Sequence, residues 1–161
     1  MELIFCPMPP EGGADPFLAV DLDVFNPTNA ALVKYGFYAL DILHTQTLTA
    51  TAPNIVFKGI SYVTPVTTNN IKSGIIGVVQ TAIPSLGRGL LRISGVTVAR
   101  IEGTSAIGLE KPLKCGNGVN YVVVCGANSR FHATALEAYS TAAVAEKLVL
   151  LNGGYGLRTI A

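Results

Sequence analysis

Charge is what this sequence has least of. Asp, Glu, Lys and Arg supply 13% of its 161 residues, about half of the usual quarter, which excludes a disordered chain or a charge-laced coiled coil. The balance is even as well, with 11 basic against 10 acidic residues, so no bulk field draws the chain onto nucleic acid or an anionic membrane. Tryptophan is absent, and no Phe or Tyr falls between residues 63 and 120. That leaves the most basic stretch without stacking platforms for single-stranded nucleic acid. Neither nucleic acid nor a membrane is expected as a partner.

Long apolar runs are missing too, because Gly, Thr, Asn or a charge interrupts each one before the roughly 18 to 20 residues of a spanning helix. The N-terminus places Glu2 where a secretory signal needs basic residues, and its apolar run is too short for a signal core. A cytoplasmic protein is expected. Cys6, Cys115 and Cys125 are odd in number and form no C-x-x-C pair, which argues against a disulfide framework and a cysteine zinc site. The two histidines, His44 and His132, have no spacing that joins them with Asp41 into a ligand set. No metal site is expected and no cofactor can be named.

What remains is an apolar chain, 50% hydrophobic by composition, long enough for one domain over residues 1–161. Residues 7–16 read as a Pro/Gly-rich loop or arm, and 152–161 as a Gly-rich tail. Residues 2–6 suggest a short strand. Phe17 to Phe25 alternates, with Val20, Leu22 and Val24 on one face and Asp21 and Asp23 on the other. Asn26-Pro27-Thr28-Asn29 supplies helix-start chemistry for a helix to about Leu43. Strands follow over 45–52 and 54–64, then a helix from Asn69 or Asn70 to about Ile83.

Leu90 to Ile101 reads as a long strand with Arg92, Ser94, Val96, Val98 and Arg100 on one face. Residues 103–118 read as a loop, 119–125 as a buried strand, and Arg130 to Leu150, rich in Ala, as a third helix. No exact repeat is present, although a βα unit recurs. These elements predict an α/β fold, an α+β sandwich of one mixed sheet packed by about three helices. Helices apolar around most of their circumference exceed the available polar cover, so a homo-oligomer, a trimer or hexamer, is expected.

Charge is distributed unevenly along the chain. Residues 1 to 41 hold Glu2, Glu11, Asp15, Asp21, Asp23 and Asp41 against Lys34, whereas 42 to 101 hold Lys58, Lys72, Arg88, Arg92 and Arg100 with no acid. The two segments should attract, within one chain or between neighbours.

Candidate chemistry is sparse. The turn Cys125-Gly126-Ala127-Asn128-Ser129-Arg130-Phe131-His132 follows a strand and opens the third predicted helix, so Asn128, Ser129 and Arg130 could hold a small anion at a helix start. Arg88, Arg92 and Arg100 could gather guanidinium groups around a phosphate or carboxylate. His132, Asp21 and Asp23 are the catalytic candidates, the two acids lying about 6 to 7 Å apart along one strand face. No G-x-S-x-G elbow and no phosphate-loop motif occurs.

The strand–helix–strand order from Gly59, followed by Val119-Asn120-Tyr121-Val122-Val123-Val124-Cys125-Gly126 and an Ala-rich helix, is similar in element order to the shell domains of bacterial microcompartments. The resemblance implies a small, low-charge α/β chain that assembles. The low charge, the helices apolar on several faces and the lack of a catalytic signature make a self-assembling protein with a structural or shell-like role the leading expectation. The alternative is a small oligomeric enzyme or ligand sensor that binds an anion at a subunit interface near the 125–132 turn.

Overall fold

The computed structural model describes residues 19–41, 61–65, 75–126 and 131–152. Among them there is no helix. Nine strands form a single sheet: β1 (Val20–Phe25), β2 (Phe37–Asp41), β3 (Ser61–Pro65), β4 (Ile76–Val79), β5 (Arg88–Glu102), β6 (Pro112–Cys115), β7 (Val122–Val124), β8 (Ala133–Ala135) and β9 (Val144–Asn152). The predicted α/β sandwich is thus replaced by a closed all-β architecture. Its likeness in element order to microcompartment shell domains goes with it.

The pairings close two rings that share β5. One runs β1-β3-β2-β4-β5 and returns to β1, and the other runs β5-β7-β6-β8-β9 and returns to β5. At 15 residues, β5 extends roughly 45 to 50 Å at about 3.3 Å per residue. Residues Arg88 to Ser94 pair with β1, and Ser94 to Glu102 pair with β9. Ring closure removes the open edges that make flat sheets prone to association.

The two rings are copies of one topology. In each, the first strand pairs with the third in parallel and with the fifth antiparallel, and the second pairs antiparallel with the third and fourth. The fourth and fifth also pair antiparallel in both. The loops repeat as well. Ala31-Leu32, Ala82-Ile83 and Ala106-Ile107 each precede a tight turn, closed by Gly36 N–H to Val33 O (3.0 Å), Gly87 N–H to Pro84 O (3.0 Å) and Lys111 N–H to Gly108 O (3.4 Å). The third turn residue has positive φ in every case: Tyr35 (60°), Leu86 (55°) and Glu110 (61°). Non-glycine residues rarely adopt that conformation. The buried residues ahead of these turns form isolated bridges, Leu32 with Ile83 in the first ring and Ile107 with Tyr139 in the second. In the sequence the recurrence shows as little more than an Ala-Leu or Ala-Ile pair ahead of each turn.

Packing explains the missing helices. Tyr38, Leu40 and Val79 join Val24, Leu32, Ile83, Leu91 and Ile93 in the core of the first ring. The alternate residues of the same strands, Phe37, Ala39, Ile76 and Val78, join a second core with Ala99, Ile101, Leu113, Cys115, Val122 and Val149. Strands β2 and β4 are therefore buried on both faces, and such strands lose their period-two signature. Apolar residues on every side had suggested helices over 26–43 and 69–83. The surplus apolar surface lies between two cores inside one chain, so the polar-cover argument for a trimer or hexamer loses its premise.

The third predicted helix is two strands and a turn region. Ala133 and Ala135 are fully buried where β8 lines the second ring, a place for small side chains rather than for helix propensity. The predicted loop over 103–118 contains β6. The helix start at Asn26 is instead a buried junction: Asn26 Nδ2 donates to Ala30 O (2.8 Å) and Pro84 O (3.0 Å), while its Oδ1 accepts from Thr28 N–H (3.0 Å) and Thr28 Oγ1 (2.7 Å). Cap and Asx-turn chemistry are the same, which is why sequence pattern does not separate them. The expected elements at 2–6, 7–16 and 45–52 lie outside the described residues, as does the tail beyond Asn152.

Candidate functional site

The alternation of β1 puts Asp21 and Asp23 on the outer face of the first ring, because Val20, Leu22 and Val24 turn toward its core. Register places Asp21 directly opposite Arg92, and the two form a bidentate pair with Nε–Oδ1 at 2.8 Å and Nη2–Oδ2 at 2.9 Å. Arg92 Nη1 also donates to Val96 O at 3.3 Å. Hydrogen bonding from Arg92 holds the Asp21 carboxyl below the ordinary carboxylate range, outweighing its partial desolvation. Asp23 pairs with Arg88 at 3.3 Å, well exposed on both sides. The acid-rich and basic segments thus meet along the β1–β5 seam.

This geometry sets the candidate catalytic acids Asp21 and Asp23 against two of the four candidate anion-binding arginines, Arg92 and Arg88. Arg100 does not join them. It lies eight residues beyond Arg92 on β5, roughly 26 Å along the strand, opposite Glu146 on β9. Lys34, whose ammonium stacks on Tyr35 at 4.4 Å, is within electrostatic reach of Glu146.

His132 enters β8 rather than a helix. Its backbone N–H donates to Leu113 O at 2.8 Å, and its Nδ1 accepts from Cys115 N–H at 3.2 Å. Nδ1 is therefore an acceptor in this arrangement. The Cys115 side chain points into the core, where burial pushes its thiol far above the ordinary range and makes it a poor nucleophile. Asn128, Ser129 and Arg130 lie outside the described residues, as do His44 and the side chain of Asp41. Among the described residues, no group of three or more His, Cys, Asp and Glu could hold a metal ion. No helix there is long and apolar enough to cross a membrane.

Two features were not anticipated. A groove of about 480 Å³ lies between the 28–33 loop, Tyr38, Pro65 and the 118–121 loop. The second is an apolar outer face on the second ring, where Val98 pairs with Leu148 and Val96 with Leu150, Leu148 being 39% exposed. Leu136 adjoins through its N–H to Leu148 O at 3.0 Å. The grouping of Val96 and Val98 on one face of β5 was legible in the sequence. Its continuation onto β9 was hidden by the Ala-rich run read as a helix.

No protein-family model matches the chain, and no curated protein sequence matches it. Among solved structures it is similar to the head fiber gp8.5 N base in bacteriophage phi29, with a TM-score of 0.50 and 11% sequence identity, covering 85% of this chain and 97% of that one. At that identity the likeness is one of fold.

Proposed function

We propose that the chain is a self-assembling structural domain of a fibre- or shell-like assembly. The observation that carries this reading is the fold likeness to a phage head fiber base, which spans most of both chains. Two features support it. Two of the four candidate arginines, Arg88 and Arg92, are paired with the candidate acids Asp23 and Asp21 along the first ring. The second ring carries an apolar outer face of the kind that marks association surfaces.

Light scattering across a dilution series, with native mass spectrometry of the same sample, tests the proposal. A closed or open homo-oligomer without retained small molecules is the expected result. A monomer at every concentration overturns it. A retained anion that is lost on Arg130→Ala would instead favour the alternative, an interface enzyme or sensor at the 125–132 turn.

A further inference from the structure

We infer that the outer face of β5 and β9 receives a second copy of this chain, related by a two-fold axis that runs along the strands between them. This rests on the self-assembly reading and names the surface responsible.

The first ring shows what a water-facing version of this sheet looks like. Counted from the last residue of the fourth strand, Val79 opposite Leu91 corresponds to Ala135 opposite Val149, so Arg92 corresponds to Leu150 and Leu90 to Leu148. On the strand alongside, Asp21 opposite Arg92 corresponds to Val96 opposite Leu150. One copy of the fold covers these positions with a bidentate ion pair. The other leaves Val96, Val98, Leu148 and Leu150 in their place.

Charge selects the occupant. The apolar centre is bounded at one end by Arg100 and Glu146, directly opposite each other, and at the other by Arg92 and Asp21. Lys34 stands within electrostatic reach of Glu146, and the Glu137 carboxylate accepts from Leu148 N–H at 2.9 Å, so acids and bases are interspersed around the face and give a polyanion or an anionic surface no net attraction. A two-fold axis between the strands lays each β5 over the partner's β9. It sets Arg100 over the second copy's Glu146, and Val98 and Val96 over the second copy's Leu148 and Leu150. Cross-strand neighbours become the contacts, so the face is complementary to itself, as an isologous interface must be. Aligned sheet packing accommodates this geometry. Nine ladder pairs and the width of three strands cover on the order of 400 Å² per copy, about 800 Å² in total and below the roughly 1,000 Å² of a stable interface, so the dimer is a weak one that dissociates on dilution.

The test uses the full chain as wild type, Arg100→Glu, Glu146→Arg, their equimolar mixture, and Leu148→Lys. Each single charge variant places like charges together twice across the axis, and its self-association should weaken at least about tenfold. Mixed, the two should form a heterodimer, because Glu at 100 then meets Arg at 146 and the native Glu146 meets the native Arg100. Native mass spectrometry separates that species from either homodimer, and no intrachain effect on folding produces it. Leu148→Lys should shift the wild-type species toward monomer. If the wild type associates but the mixture does not complement and Leu148→Lys changes nothing, this surface is wrong and self-assembly stands. If the wild type is monomeric throughout, both fall.

Discussion

The two rings have the same strand order and one loop bridge each, and they differ in what their seams show to the outside. The first carries Asp21–Arg92 and Asp23–Arg88 on the outer face of its β1–β5 seam and is pinned at one end by the buried Asn26 network. The second carries Val98–Leu148 and Val96–Leu150 on the outer face of its β5–β9 seam, with Arg100 opposite Glu146 beyond them. One topology is thus compatible with a polar seam or an apolar one, because backbone pairing and inward-facing residues supply the closure. The outward residues are left free to decide what the surface meets.

The largest effect should come where the rings share material. Phe37 belongs to a strand of the first ring but is fully buried in the core that extends into the second. Phe37→Ala should cost about 3 to 5 kcal/mol, and urea unfolding should still show one transition, since both rings lose packing together. Separate transitions would show that the rings are independent units. Asn26→Ala tests the first ring alone. It strands backbone groups of Ala30 and Pro84 and should cost about 1 to 3 kcal/mol by the same measurement. The second ring has Gly103 after its first strand, with no such side chain to remove.

Exchanging the seams sharpens the comparison further. Asp21→Val with Arg92→Leu imports the second ring's pair into the first. The double variant should be within about 1 kcal/mol of wild type, while Asp21→Val alone should be worse because it leaves a partly buried guanidinium uncompensated. A double-mutant cycle reads the coupling directly, and none at all would show the pair to be ornamental. Acid should act on the same pair. The folded pKa of Asp21 is lowered, so its stabilisation is complete above the unfolded value of about 4 and is lost as pH falls through the folded value. Denaturation midpoints from pH 6 downward should fall less steeply in Asp21→Asn than in wild type. The smallest change belongs to Asp23→Asn, within about 0.5 kcal/mol, because its pair with Arg88 is mostly solvated.

How much of this was legible depended on how many faces each strand buries. β1 and β5 bury one face, and their alternation was readable to the residue: Asp21 and Asp23 against Val20, Leu22 and Val24, and Arg92, Val96, Val98 and Arg100 against Leu91, Ile93, Ala99 and Ile101. β2 and β4 bury both, so Phe37 to Leu40 and Ile76 to Val79 contain no polar residue to set a period. The acid-rich and basic segments were visible, and so was their attraction. That it would pair catalytic candidates with anion-site candidates was not, because only the β1–β5 register puts Asp21 opposite Arg92.

By itself, the sequence determined that the chain is apolar and weakly charged, that β1 and β5 are strands, and which of their residues face outward. Those properties follow from local alternation and composition, which act without regard to partners. The tertiary structure decided that there are two rings rather than one sandwich, that Ala133 and Ala135 line a ring instead of belonging to a helix, and that one seam is charged and the other largely apolar. Each of these depends on which strand lies beside which, and pairing across tens of residues leaves its signature in space rather than in sequence spacing.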